Sequence, residues 1–511
     1  GHFSATDAVT VTLIAVAGAA GAVVALTHGD PVTAFGVASF AAGSLAWIAA
    51  AREGIEPPPC TRVSQGAAPN ILLIGSDGLR ADSVGPRGGA SLTPSIDRIA
   101  AGAVQFTNCF VPCARTAPSL ISMMTSRWPY EHGIRDNFAT SEEAMLGSTP
   151  LPGYLRANGY HTLAISDWCG SDLGKFELGF EELDLPEDQW NLRYLVRQGP
   201  KDIRLFLSLF TRGALGRRLI PEIHYLAGIP MTATLGRRTR KALSHFALHQ
   251  DRPFFLNVFM SSTHAPFGSE YPFYMTHSSR EYLGDSKFVM HGLSEPFEVV
   301  RRQGLDKSAF DLEQIGRLYA GCVAAFDAEV GKILHHLDAC GLAGNTIVVI
   351  YSDHGMEFFE RETWGQGNSV IVDDSARVPL IVADPRNPHA RTVDAVVRTV
   401  DLAPTLLDLV GLKVPDCMCG AALTPALDGH PLPALPAYPA TGVWVTQVPS
   451  LEPEHLNYPD LPALLEVPDK NVGTIALKPE WHFKVVSAKD RMLRNGKWKL
   501  VRQPMRDGAV Y

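Results

Sequence analysis

Short runs of consecutive apolar residues alternate with segments of helical periodicity over most of this chain, and this alternation limits the possible folds most. Five runs are predicted to be buried strands, at residues 70–74, 162–165, 253–259, 346–351 and 378–382. Helical segments lie between them, among others at residues 95–103, 118–127 and 311–337. Continuous apolar strands joined by helices are typical of a mostly parallel sheet covered on both faces. We therefore expect an α/β fold with a doubly wound, mostly parallel sheet.

Two uncharged apolar runs precede the first of these strands, at residues 8–27 and 32–51. Each matches the roughly 20 residues that a helix needs to cross the hydrocarbon layer of a membrane. We predict a transmembrane helical hairpin over residues 1–52, followed by a proline-rich linker over residues 53–69. A buried hairpin in a soluble core is the first alternative. A signal peptide is the second, although it would combine a cationic start with a single apolar run.

The composition excludes several classes of protein. The hydrophobic fraction of 46% and the charged fraction of 19% exclude a disordered chain. The net charge of −8 argues against a nucleic-acid-binding protein, whose surface would be basic. Eight cysteines in 511 residues do not form a disulfide scaffold. Cys109 and Cys113 could still form a bridge in an exported domain, or could be ordinary buried thiols.

Candidate metal ligands follow two of the predicted strands. Asp77 comes after the first strand, and Asp353 and His354 come after the strand at residues 346–351. The carboxyl ends of strands in such sheets line the ligand crevice, although an aspartate there can also be a simple turn residue. Thr116 is predicted to begin a helix, where free N–H groups favour an anion or a simple cap forms. Mixed nitrogen and oxygen ligands suit one divalent ion, Zn²⁺ or Mn²⁺.

Seven motifs occur in order along the chain, at residues 70–77, 93–98, 116–132, 264–267, 351–355, 377–380 and 401–407. This ordered set resembles the sulfatase family of the alkaline phosphatase superfamily. The resemblance implies a catalytic domain over residues 70–430 with a metal site and a covalent nucleophile at a helix start. It also implies a C-terminal subdomain over residues 431–511 with a strand pair within residues 492–501.

One departure from the family pattern concerns the nucleophile. Sulfatases carry a C-x-P-x-R signature whose Cys or Ser becomes formylglycine, whereas residues 116–120 here read Thr-Ala-Pro-Ser-Leu. A threonine cannot become that aldehyde. It resembles instead the nucleophile of lipoteichoic acid synthases and phosphoethanolamine transferases. This likeness implies Thr116 and His264 as catalytic residues. It implies Asp77, Thr116, Asp353 and His354 as metal ligands, and His264, Arg115, Gln366 and Asn368 as substrate-binding residues.

Together with the predicted hairpin, this likeness implies a membrane-anchored, metal-dependent phosphotransferase that moves a phosphoryl-linked head group through a phosphothreonine intermediate. A membrane lipid and a phosphoester are the expected partners, with membrane proteins able to bind the hairpin, and the catalytic domain is expected outside the cytoplasm. A phosphodiesterase or sulfuric ester hydrolase is one alternative. The other is a catalytically degenerate structural subunit, because Gln366 stands where related transferases often carry a histidine.

A basic insertion is predicted over residues 191–241. It contains eleven Lys and Arg residues but only two acidic residues, Asp202 and Glu222. A solvated helical face explains this composition, and so does an amphipathic segment that faces anionic lipid head groups.

Overall fold

The structure is a computed structural model that describes residues 68–511 except 86–90, 199–230, 250, 271, 279–281, 283–304, 361, 446–447 and 449–450. The predicted hairpin, nearly all of the linker and most of the basic insertion lie outside the described residues. Within the described part of the chain, no helix combines the length and the apolar character that a membrane span needs.

The described chain alternates strands and helices, as predicted. The strands are β1 Asn70–Ser76, β2 Val104–Phe110, β3 His161–Ser166, β4 Glu182–Asp184, β5 Phe254–Met260, β6 Thr346–Tyr351, β7 Glu357–Phe358, β8 Trp364–Gly365, β9 Arg377–Ala383, β10 Arg391–Arg398, β11 Leu465–Glu466, β12 Ala476–Leu477, β13 Arg491–Asn495, β14 Trp498–Met505 and β15 Gly508–Val510. The helices are α1 Pro94–Ala100, α2 Thr116–Thr125, α3 Pro129–His132, α4 Leu151–Ala157, α5 Asp172–Lys175, α6 Leu192–Gln198, α7 Thr232–His249, α8 Phe273–His277, α9 Leu312–Ala339, α10 Leu402–Leu409, α11 Thr424–Leu427, α12 Leu461–Leu464 and α13 Pro479–Ala488.

Eight strands form the central sheet in the order β10-β2-β9-β6-β1-β5-β3-β4. All neighbouring pairs are parallel except those of β9, which runs antiparallel to both β6 and β2. The prediction of a mostly parallel sheet is therefore confirmed. Every residue of β1, β3, β5 and β6 is buried, since these strands lie between two layers of helices.

The helices pack in two groups. Helix α9 contacts both α1 and α7, whereas α2 contacts both α4 and α10. Alternate residues of β1, Ile71 and Leu73, belong to the same buried cluster as Ala117 and Leu120 of α2. The start of α2 is thereby held against the centre of the sheet.

The C-terminal residues form a three-stranded antiparallel sheet, β13-β14-β15, which confirms the predicted late strand pair. Met492 of β13 and Ala437 share a buried cluster with Phe110 of β2, Val370 and Val396 of β10. Ala440 forms single bridges both to Cys113, just before α2, and to Arg491 of β13. The C-terminal sheet is therefore joined directly to the segment that leads into Thr116.

Candidate active site

Two adjacent parallel strands place three of the predicted ligands at one edge of the sheet. Asp77 follows β1, and Asp353 and His354 follow β6. Gly75 of β1 pairs with Tyr351 of β6, and a Cβ at Gly75 would lie 2.4 Å from the tyrosine ring. Only glycine therefore allows this close pairing. The main chain of Asp77 is fixed by hydrogen bonds from its N–H to Met260 O (2.8 Å) and from Thr263 Oγ1 to its carbonyl (2.7 Å).

The ligand atoms of these three residues converge. His354 Nε2 lies 3.4 Å from Asp77 Oδ1 and 3.2 Å from Asp353 Oδ2. All three atoms are buried and have no hydrogen-bond partner among the residues that the structure describes. His354 Nδ1 donates a hydrogen bond to the carbonyl of Gly355 (2.8 Å), so Nε2 presents its lone pair to the carboxylates. A Cβ at Gly355 would lie 1.9 Å from the carbonyl oxygen of Asp374, so glycine is needed there as well.

The electrostatics of this group call for a cation. Burial and the nearby charge of Asp353 raise the pKa of Asp77 well above its ordinary value. Burial raises the pKa of Asp353 to about 7 and lowers the pKa of His354 to about 3, which keeps the imidazole neutral. Two carboxylates and one neutral imidazole, with ligand atoms within 4.8 Å of one another, fit a single divalent cation. No other group of three such residues occurs in the part of the chain that the structure describes.

Thr116 lies beside this group. Helix α2 begins at Thr116, as predicted, and Arg115 before it has an extended backbone. The Thr116 hydroxyl donates to Asp77 Oδ2 at 3.4 Å, and its hydrogen bonding also lowers the pKa of Asp353. The four residues predicted as metal ligands thus meet at one point.

His264 and Gln366 contact each other. His264 follows β5 and its Nδ1 donates to the carbonyl of Ala265 (2.5 Å), while the amide nitrogen of Gln366 lies 2.5 Å from His264 Nε2. The edge of the imidazole packs on Trp168, with the ring centroids 4.8 Å apart. His264 is therefore oriented from two sides.

Arg115 and Asn368 have their polar atoms engaged inside the protein. Arg115 donates to the carbonyl of Val443 (2.6 Å) and to Asn368 Oδ1 (3.3 Å). The Asn368 amide nitrogen donates to the carbonyl of Trp364. The hydrogen bonds of Asn368 do not support its predicted contact with substrate, because Arg115 and the Trp364 carbonyl occupy both ends of its amide. Arg115 joins the start of α2 to that segment.

One residue of the site escapes prediction from the sequence. Asn137 Oδ1 accepts a hydrogen bond from Ala117 N (3.1 Å), in the first turn of α2. Its amide nitrogen has no partner among the described residues and is free to donate beside Thr116. Asn137 lies in an irregular loop after α3, where neither periodicity nor charge marks it.

Two further carboxylates line this edge of the sheet. Asp167 accepts hydrogen bonds from the Ser261 N–H (3.1 Å), the Ser261 hydroxyl (2.8 Å) and Cys169 N (3.3 Å). Asp172 is fully buried, and burial raises its pKa to about 7. Their charges add to the rise in the pKa of Asp77, which strengthens the attraction of this edge for a cation.

The cysteines before Thr116 are not bridged. Cys109 in β2 and Cys113 are both free and buried. Of the two explanations that the sequence leaves open for this pair, the structure has buried thiols. The Cys113 thiol contacts the carbonyl of Thr441 at 3.7 Å, so it packs against the C-terminal segment.

Comparison with known proteins gives consistent matches. A family model described as Sulfatase matches residues 69–412. An N-acetylglucosamine-6-O-sulfatase of Bacteroides thetaiotaomicron is 27% identical over 409 residues, which is 71% of each protein. Arylsulfatase A of Bos taurus is 27% identical over 405 residues, covering 73% of this chain and 71% of that protein. The structure of a phosphonate monoester hydrolase of Agrobacterium radiobacter has a TM-score of 0.60 at 21% identity, covering 86% of this chain and 88% of that one.

Proposed function

Because the chain belongs to the sulfatase family, we propose that it is a metal-dependent hydrolase of phosphoric esters with Thr116 as its nucleophile. The observation that carries the proposal is the Thr116 hydroxyl, which lies 3.4 Å from Asp77 Oδ2 within a group of unpartnered ligand atoms. Sulfatase relatives favour hydrolysis over the phosphotransferase predicted from the sequence. The threonine favours phosphoric over sulfuric esters, since it cannot provide formylglycine.

A divalent cation held by Asp77, Asp353 and His354 would supply Lewis-acid stabilisation of negative charge on oxygen. Thr116 attacks phosphorus, and its proton passes to Asp77 Oδ2, which already accepts its hydrogen bond. The ester alcohol departs from the opposite side. Water then attacks the phosphothreonine at phosphorus and passes its proton to His264, which has given one to the alcohol, while Asp77 returns its proton to the departing Thr116 oxygen.

Asn137 and His264 serve the other oxygens of the phosphoryl group. The free amide nitrogen of Asn137, anchored through its oxygen to Ala117 N, donates to one equatorial oxygen. His264 Nε2 now contacts the Gln366 amide. When a substrate oxygen replaces that amide and the imidazole is protonated, Nε2 donates a proton to the leaving alcohol.

The test uses the full chain with added Mn²⁺ or Zn²⁺ and p-nitrophenyl esters. A phosphodiester, a phosphonate monoester and a sulfate serve as probes. We expect turnover of the phosphorus esters, a fall of at least about 10³-fold in Thr116→Ala, and partial retention of activity in Thr116→Ser. Intact-mass and peptide analysis should locate a phosphoryl group on Thr116. Full activity of a folded Thr116→Ala protein, or turnover of the sulfate alone, contradicts the proposal.

Transfer from a membrane lipid stays a prediction, and one assay separates it from hydrolysis. Incubation with a labelled phospholipid releases the head group if water is the acceptor, and labels a second molecule if the chain is a transferase. A chain that leaves every probe intact while it binds metal would be the degenerate subunit. The partners named above, with the absence of nucleic acid, also stay predictions.

A further inference from the structure

The hairpin formed by β13 and β14 has two different faces. Leu493 lies directly opposite Leu500, and Asn495 lies opposite Trp498. Residues two apart in a strand point to the same side, and so do directly opposite residues. The outer face therefore carries Leu493, Asn495, Trp498 and Leu500, together with the pair Arg491 and Arg502.

The inner face is packed against the protein. Met492 is buried with Phe110 and Val370, and Val501 packs against the same cluster. Arg494 and Lys499 on this side both pair with Asp373. The inner face thus has its partners, and it fixes the outer face in place.

The outer face is exposed although it is largely apolar. Trp498 is 74% exposed, Leu500 50% and Leu493 37%. Lys497 in the turn lies over the Trp498 ring, at 5.5 Å from its centroid. Neither Lys497 nor Arg502 pairs with a carboxylate among the described residues. This surface combines an exposed tryptophan, two leucines and two cations that lack acidic partners.

The surrounding chain is basic in an acidic protein. Residues 478–506 contain nine Lys and Arg but only two acidic residues, whereas the whole chain has 45 and 53. Tryptophan is favoured at the interface between membrane and water, and Lys and Arg side chains are attracted to the surface of an anionic membrane. Three exposed apolar side chains are few for a protein interface, which needs about 800 Å² from each partner.

We propose that the outer face of the β13–β14 hairpin docks on the surface of an anionic phospholipid bilayer. The proposal goes beyond the proposed hydrolase and does not depend on it. Ala440 bridges both Arg491 of this hairpin and Cys113, three residues before Thr116. Neighbouring strands lie about 4.8 Å apart, so docking brings the bilayer within a few strand widths of the candidate nucleophile.

The test measures a signal from the β13–β14 hairpin itself, because residues 8–51 of the full chain are predicted to enter any bilayer. Leu500→Cys is labelled with an environment-sensitive fluorophore in a chain with Cys60, Cys417 and Cys419 changed to serine. Vesicles of phosphatidylcholine alone, or with phosphatidylglycerol added, are the probes. We expect a severalfold rise and a blue shift of emission with phosphatidylglycerol, reduced by high salt because the cations are screened. The same label on Tyr130→Cys in α3 should not respond.

A second variant tests the charges without touching the apolar side chains. Lys497→Glu with Arg502→Glu should abolish the response of the label at position 500, whereas Lys413→Glu, at another exposed lysine, should not. An unchanged label with anionic vesicles overturns the proposal, and so does an equal response with phosphatidylcholine alone. A response to protein concentration without vesicles also overturns it, since the face would then bind a second copy of this chain.

Discussion

Three buried atoms without hydrogen-bond partners define the chemistry at the scale of single residues. Asp77 Oδ1, Asp353 Oδ2 and His354 Nε2 face one another and meet no donor in the described part of the chain. Buried polar atoms are almost always paired, so a group of three without partners indicates a ligand. Proton and cation compete for the two carboxylates, because burial raises the pKa of Asp353 to about 7.

This competition predicts how metal stabilisation depends on pH. A carboxyl with a raised folded-state pKa binds more protons when folded, so its ionisation costs stability as pH rises from about 4 to about 7. His354 stays neutral throughout, since its pKa is about 3. The rise in Tm on adding Mn²⁺ or Zn²⁺ to chelator-treated protein should therefore be larger at pH 8 than at pH 5. Asp353→Asn should remove most of it, and equal shifts at both pH values in the unaltered chain argue against the site.

Thiol labelling tests the free cysteines. Cys417 and Cys419 are exposed, whereas Cys109 and Cys113 are buried and burial raises the pKa of both thiols. Alkylation of the native protein, mapped by peptide mass, should modify Cys417 and Cys419 and reach Cys109 and Cys113 only after unfolding. A peptide map without reductant that links Cys109 to Cys113 would contradict the structure.

At the scale of elements, one buried carboxylate holds the loop between β6 and β9. Glu357 accepts hydrogen bonds from Ser375 Oγ (2.8 Å), Ser369 N (3.3 Å) and the Thr363 hydroxyl. This loop carries Gln366, which contacts His264. Glu357 therefore supports the orientation of His264 from a distance.

Removing this carboxylate should loosen the loop. Glu357→Ala loses three hydrogen bonds in a buried position, so we expect a loss of about 2–4 kcal/mol in the free energy of unfolding and a fall in kcat. Chemical denaturation measures the first effect and turnover of the phosphodiester the second. Glu362→Ala, in the same loop but largely exposed, should change stability by less than about 0.5 kcal/mol. Equal effects of the two substitutions would argue against this role of Glu357.

The central strands could be predicted from the sequence, and the outer ones could not. Strands β1, β3, β5 and β6 are buried along their whole length and therefore read as apolar runs. Strand β10 alternates half-buried and exposed residues in its first half and carries charges, so it lacks that signal. The antiparallel direction of β9 is consistent with its connection to β6. Among the described residues, no helix lies between the two strands, and a parallel pair usually needs a helical crossover.

Some residues of the candidate site could likewise be predicted from the sequence, and others could not. Asp77, Asp353 and His354 directly follow central strands, and Thr116 begins a helix, so topology alone brings them together. The position of Asn137 depends on the path of an irregular loop. The hydrogen bond of Arg115 to the Val443 carbonyl joins residues 328 apart, and its hydrogen bond to Asn368 joins residues 253 apart, so no local pattern reveals either.

At the scale of the whole molecule, the two predicted domains contribute residues to one buried cluster. Met492 and Ala437, from the C-terminal subdomain, pack with Phe110 and Val396 of the central sheet. The division at residue 430 stays a prediction about the sequence, but a shared cluster couples the unfolding of both sides.

A core substitution tests this coupling. Met492→Ala should lower the free energy of unfolding by about 2–4 kcal/mol. The central sheet and the C-terminal sheet should still unfold in one transition. Hydrogen exchange should then accelerate in β2 as well as in β13. Met492→Leu conserves volume and should cost less than about 1.5 kcal/mol. An early, separate transition of the C-terminal sheet would show that the two parts unfold independently.

The ring of His354 is held by a main-chain carbonyl, and this has a consequence for how the chain can change. If the partner of the ring were a side chain, a single amino-acid substitution could remove it. The imidazole could then turn its other nitrogen toward the carboxylates. The Gly355 oxygen has no such alternatives, and position 355 itself admits no larger residue because the Asp374 carbonyl lies against it. The tautomer of His354 therefore does not depend on any one side chain. Only a change in the path of the backbone after β6 would alter it.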